Sequence, residues 1–178
     1  MRNQVLVVLA IATALAQPSD AVDIGVVESH CVVDVTARSS TGQLLLSESR
    51  CYSTFAEAMF DASAGSLALP PPTQSDVLEG DKEFAAEVLS LILGIHFDGA
   101  NGSGSSITIT GSGCNGGWWN TGASWANRIS SSYNGCARLA HYDFPNKGGS
   151  VESTYGVGTT DNLGLLHNRA ESVAYHSG

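Results

Sequence analysis

His96-Phe97-Asp98 and His141-Tyr142-Asp143 set an imidazole and a carboxylate two positions apart, twice, at an interval of 45 residues. Positions i and i+2 of a strand share a face, so each pair offers a metal ligand beside a carboxylate. A closed zinc site needs four ligands in tetrahedral geometry, and repeated units ordinarily hold equivalent residues apart, so the spacing predicts two separate pairs rather than one site. Hydrolytic chemistry has less to work with. Serines abound, but no G-x-S-x-G turn presents one, and Gly102-Ser103-Gly104-Ser105-Ser106 is loop composition. The expectation is a protein that is not an enzyme.

Each histidine opens a longer matched stretch, HFDGANGSG and HYDFPNKGG, in which Phe97/Tyr142, Asp98/Asp143, Asn101/Asn146 and Gly104/Gly149 correspond. Such a stretch is too long for a two-residue hairpin turn. It is predicted to fold back over its own strands, with the aromatic packed beneath it and the closing glycine at positive φ, where other residues meet steric resistance. A second match follows: Asn127-Arg128-Ile129-Ser130-Ser131 and Asn168-Arg169-Ala170-Glu171-Ser172 share Asn-Arg-x-x-Ser. The C-terminal half is therefore two units of about 40 residues, each with four short strands, of which Ser106–Thr110 alternates like a half-buried one.

An aromatic and a glycine seven positions on, then an Asn-x-x-Ser-Ser type stretch about 25 residues later, resembles the βγ-crystallin Greek-key motif, here in tandem over residues 91–178. The resemblance implies a β-sandwich of two Greek keys. It places Phe97 and Tyr142 at the aromatic position, Gly104 and Gly149 at the glycine, and Ser131 and Ser172 at the serine that ties down the folded hairpin. Gly102 and Lys147 depart from the second aromatic slot, so packing inside each hairpin should be looser. The resemblance also implies calcium, which takes six to eight oxygens, with Asn127 and Ser130 in the first unit and Asn168 and Glu171 in the second as candidate ligands. Ala126 and His167 stand where the motif opens with Asn or Asp.

The first half has another character. Residues 1–16 have the pattern of a signal peptide, with Ala14-Leu15-Ala16 before the expected cleavage and Ala21 as a second cleavage position. Between Gln17 and Ile92 there are twelve acidic and three basic residues, and from Leu93 onward five and four. No basic stripe exists to neutralise phosphates, which excludes a nucleic-acid binder, and no later run is long and apolar enough for a membrane helix. Four cysteines allow three pairings; an exported two-module chain favours Cys31–Cys51 and Cys114–Cys136. Residues 17–69 read as a small α+β segment: a hairpin of Val32–Ala37 and Gln43–Ser47, then a helix with Thr54 as N-cap and Glu57 completing a capping box, ended by Gly65. Pro70-Pro71-Pro72 begins an acidic linker over 70–90, with a short helix expected around Glu79–Glu87. The segment also resembles those found ahead of exported bacterial crystallin-type domains, as either a removable pro-segment or a solubilising domain.

Adjacent residues of a strand face opposite ways, so Trp118 and Trp119 cannot both point inward, while Trp125 belongs to the core. An outward ring would mark a recognition surface; the alternative is a tryptophan plugging the end of the sandwich. Asn101-Gly102-Ser103 matches an N-glycosylation sequon. The whole is α+β, a β-sandwich behind a small α+β segment, secreted, and working by binding. The resemblance offers three roles: an inhibitor of an extracellular metallopeptidase through the Trp118–Ser124 loop, a calcium-binding structural protein of the cell exterior, or a secreted toxin-like protein.

Overall fold

The computed structural model of the chain describes residues 27–67, 91–112 and 114–178. The signal peptide, the whole 70–90 linker and the helix expected around Glu79–Glu87 lie outside the described residues. Strand β1 (His30–Arg38) is followed by β2 (Leu44–Leu46), β3 (Arg50–Tyr52) and helix α1 (Phe55–Ala62). Thr54 caps α1 by accepting the Glu57 N–H at 3.2 Å, and its hydroxyl donates to the Glu57 carboxylate at 2.9 Å. The hairpin is thus longer than the sequence indicates: its return arm is broken into β2 and β3, and both cysteines sit inside strands. Cys31 and Cys51 face each other across β1 and β3 and are joined, as are Cys114 and Cys136.

The second half supplies β4 (Ile92–Phe97), β5 (Ser106–Thr110), β6 (Asn115–Asn120), helix α2 (Gly122–Trp125), β7 (Ser131–Asn134), β8 (Arg138–Phe144), β9 (Gly148–Tyr155), β10 (Thr160–Asn162) and β11 (Ser172–His176). Each unit has four strands, and each lends one to the other. The first sheet runs β10-β7-β4-β5-β1, with β2 and β3 both on the far side of β1; the second runs β6-β11-β8-β9. So β10 joins the sheet of the first unit and β6 that of the second. The N-terminal hairpin extends the first sheet by pairing β1 parallel to β5.

Two apolar layers follow from the period-2 alternation. Val33, Ile107, Ile109, Leu139, Val173 and Tyr175 meet between the sheets. On the other face of the first sheet, Ile95, Phe97 and Tyr133 are covered by Phe55, Ala58 and Met59 of α1. This explains one departure from expectation: all five residues of β5 are buried, because the strand is interior to its sheet and has protein on both faces. Thr110 and Ser106 meet the polar demand of that burial through Asp34 and His30. Arg50 ties the hairpin to the helix, reaching Asp34 at 2.6 Å and Asp61 at 2.8 Å.

Candidate functional site

The matched stretches form two matched hairpins. Ala100–Gly102 and Pro145–Lys147 each make a single 3-10 turn, inside which Asn101 and Asn146 take left-handed φ of 54° and 59°. Phe97 lies opposite Ser131 and Tyr142 opposite Ser172. The Ser131 hydroxyl donates to the Gly99 carbonyl at 2.7 Å and accepts the Gly102 N–H at 2.9 Å; Ser172 does the same with Phe144 at 2.8 Å and Lys147 at 3.1 Å. Gly104 and Gly149 have φ of 77° and 75°, and a Cβ at either would run into Oδ1 of Asp98 or Asp143. Gly104→Ala and Gly149→Ala should each cost about 2–4 kcal/mol, from left-handed backbone strain plus overpacking, read as a lower urea midpoint at unchanged slope.

Sequence reasoning missed the clamp that holds these hairpins. Asn162 Oδ1 accepts the Asn101 backbone N–H at 2.6 Å and its Nδ2 donates to Asn101 Oδ1 at 2.6 Å; Asn120 does likewise for Asn146, at 2.7 and 3.1 Å. Asn162 ends β10 and Asn120 ends β6, so each exchanged strand locks the hairpin of the unit it visits. The signal in the sequence was a further match, Asn120-Thr121-Gly122 and Asn162-Leu163-Gly164, 42 residues apart. Asn101, the sequon residue, has its side chain engaged in this pair.

The candidate calcium ligands assemble across the units rather than within them. Ser130 Oγ lies 2.8 Å from Asn168 Oδ1 and 2.7 Å from the Asp98 carbonyl. Asn127 Nδ2 donates to Glu171 Oε1 at 3.0 Å. The expected groupings Asn127 with Ser130 and Asn168 with Glu171 are therefore crossed, because the backbone N–H of each Asn docks on the opposite unit: Asn168 on Ile129 and Asn127 on Ala170. One hydroxyl proton serves a single acceptor, so Ser130 faces two carbonyl oxygens with one proton to give.

The His-x-Asp pairs are taken apart. His96 and His141 point into the core, where both are fully buried. Asp98 and Asp143 turn outward to Arg128 at 2.7 Å and Arg169 at 3.4 Å. Against expectation, the equivalent histidines come together, ring centroids 5.7 Å apart, because both lie on inward faces beside the axis relating the units. Ser132 Oγ sits 2.8 Å from His96 Nδ1 and 2.9 Å from His141 Nε2, while the Tyr175 hydroxyl is 3.0 Å from His96 Nε2. Neutral rings close the chain: Tyr175 donates to His96, His96 to Ser132, and Ser132 to His141. Burial holds His96 well below the usual imidazole range, the neighbouring His141 adding to the effect; burial likewise brings His141 down to about 4, against a weaker upward pull from Glu152. No group of three or more His, Cys, Asp or Glu side chains among the described residues could hold a metal.

The tryptophan expectation needs correcting. Trp118 and Trp119 do face opposite ways, yet they are only 5% and 8% exposed. Trp119 enters the central core beside His96. Trp118 lies on the outer face of the second sheet over Ala140 and Ala174. The β1–β2 turn covers it, the Thr41 carbonyl accepts its indole N–H at 3.4 Å, and the Lys147 ammonium sits 5.7 Å from its ring. Lys147, the misfit in the hairpin, thus has an aromatic partner outside it. Of the Trp118–Ser124 loop, only Gly122, Ala123 and Ser124 stand exposed.

Comparison of the chain with protein-family models, with curated proteins and with solved structures finds no match. No helix among the described residues is long and apolar enough to cross a membrane.

Proposed function

We propose that the chain is an exported, non-enzymatic binding protein built on two βγ-crystallin-type Greek keys, and that it takes calcium at the contact between them. Strand exchange and the two serine-pinned hairpins support the architecture. The observation that carries the function is the convergence of Ser130 Oγ, Asn168 Oδ1 and the Asp98 carbonyl. A divalent cation would satisfy these oxygens together, with water completing the six to eight that calcium requires. The Asp98 carboxylate is already held by Arg128, so affinity belongs in the weak range of extracellular modules, roughly 0.1–1 mM. Catalysis is disfavoured by placement: Ser132, the serine that two histidines contact, is fully buried with them, out of reach of substrate.

At about ten times its dissociation constant, calcium should stabilise the fold by about 1.4 kcal/mol, raising the melting midpoint by roughly 3–6 °C for a domain of this size. Ser130→Ala should abolish that response. A midpoint identical in EDTA and in ~10 mM calcium, a concentration well above the constants of weak extracellular sites, would remove the reading. The exposed Gly122-Ala123-Ser124 segment favours a second one, occupation of a metallopeptidase cleft. No inhibition of a thermolysin-type protease at micromolar concentration would eliminate it.

A further inference from the structure

Between the disulfide hairpin and α2 the surface opens into a cleft of about 430 Å³. That lies inside the range of small-molecule sites, roughly 300–1,000 Å³. Its inner lining is apolar: Val33, Leu46, Ile107, Trp119 and Trp125. Ser49 and Ser124, both exposed, stand at its mouth with Arg128. The hairpin joins the sandwich along β1 and β5 and again where Gln43 pairs with Trp118, and the cleft is the gap left between the return arm and the β6–α2 corner.

Ser29, Ser47, Ser49, Ser105, Thr121 and Ser124 bring hydroxyls that donate and accept, while the nitrogen groups of the lining have one sense. Neither the Trp119 nor the Trp125 indole N–H has a hydrogen-bond partner among the described residues, and neither atom is sealed from solvent. Both rings line the cleft, which is where solvent reaches them. Indole and guanidinium groups only donate. No acidic residue lines the cleft, and its single charge is the Arg128 guanidinium, 4.8 Å above the Trp125 ring. Arg128 also spends one edge on Asp98 and on the Ser124 carbonyl, which fixes its position while leaving N–H groups to spare. A complementary ligand must bring an apolar body and acceptor atoms.

We propose that this cleft binds a small amphipathic anion, an aryl or alkyl carboxylate or sulfonate, with its apolar body against Trp119 and Trp125 and its head at Arg128. The site is independent of calcium and adds to the reading above. The probe is 8-anilinonaphthalene-1-sulfonate, titrated into the disulfide-intact protein at neutral pH with tryptophan emission as readout; its uncharged analogue is N-phenyl-1-naphthylamine. The expected result is saturable one-to-one binding of the sulfonate at about 10–100 μM, the value for a ligand of that size. The uncharged analogue should bind at least tenfold more weakly. Arg128→Gln should erase that preference, and Ser124→Phe, which fills the mouth, should abolish binding at an unchanged melting midpoint. Ser49→Phe, at the other lip, replaces it if Ser124→Phe proves destabilising. Absence of saturation, equal binding of the two probes to the unsubstituted protein, or full binding by a mouth-filled variant that melts normally would each overturn the proposal.

Discussion

Acidifying the protein from about pH 7 to about pH 4.5 lowers its stability: His141 alone accounts for about 2–3 kcal/mol, and His96 acts in the same direction. In the unfolded chain both imidazoles take up a proton near 6.5. In the fold His141 resists until about 4 and His96 is held well below its ordinary value, burial being the larger cause for each. Between those limits the unfolded state carries more protons, so stability is full above about 6.5 and drains away as pH falls toward 4. A proton on His141 Nε2 leaves the Ser132 O–H without an acceptor, and one on His96 Nε2 confronts the Tyr175 O–H. Two cations would then share the core with no facing carboxylate except Glu152, whose oxygens already hold the N–H groups of Gly164 and Leu166. Asp34, depressed chiefly by its bond from Arg50, loses its contribution only below its ordinary value, a separate and more acidic window. The melting midpoint should fall by at least about 5–10 °C over this range, with protons taken up on unfolding, and His141→Gln should lower that uptake by about one. A flat midpoint down to about pH 5, or the His96 and His141 resonances titrating near 6.5, would end the argument.

The parts of this fold that were legible in the sequence are those fixed by local chemistry. Gly104 and Gly149 occupy positions that only glycine tolerates, and Thr54 with Glu57 starts a helix by contacts three residues long; Ser131 and Ser172 bond backbone groups 25 to 32 residues away and were legible only through the repeat. What could not be read depends on where distant segments meet. Strand β10 is three residues long and has no periodicity to detect; its place in the first sheet follows from Asn162 meeting Asn101. The two histidines were legible as a repeat, but the repeat says nothing about whether its copies turn toward each other. The crossed pairing of Ser130 with Asn168 has the same origin: the motif shows which groups face inward, and the axis between the units decides which of them touch.

Trp118 shows how such a reading goes astray. Alternation along a strand correctly sends its ring out of the sandwich core, and an outward ring reads as exposed. The ring is buried nonetheless, because residues 39–43, some 75 positions earlier, close over it. The covering segment and the covered residue carry no shared pattern. The small side chains of Ala140 and Ala174 beneath the indole are the one local hint, a shelf with Tyr142 packed beside it.

Removing the N-terminal segment should therefore unfold the remainder rather than release a domain. A fragment of residues 91–178 keeps all eight strands of the two units, and by the logic of a detachable pro-segment it would stand alone. Its first sheet, however, would present Ile95, Phe97 and Tyr133 to water, side chains that are at most 1% exposed under α1. Strand β5 would become an open edge, and Trp118 would lose its cover. Phe55, Met59, Leu67, Val32 and Val33 each contribute about 1.5–3 kcal/mol by burial, so their joint loss is on the order of 10 kcal/mol, as large as typical total stability. The expected outcome is a fragment that collects as insoluble material and shows no cooperative transition on heating. The intact protein carries the converse: Phe55→Ala and Met59→Ala should each cost about 2–5 kcal/mol although both residues lie outside the repeated units and the intersheet core. A soluble fragment melting cooperatively near the parent midpoint would show that the helix and the β1–β3 hairpin are attachments, and that the two repeated units suffice to make the fold.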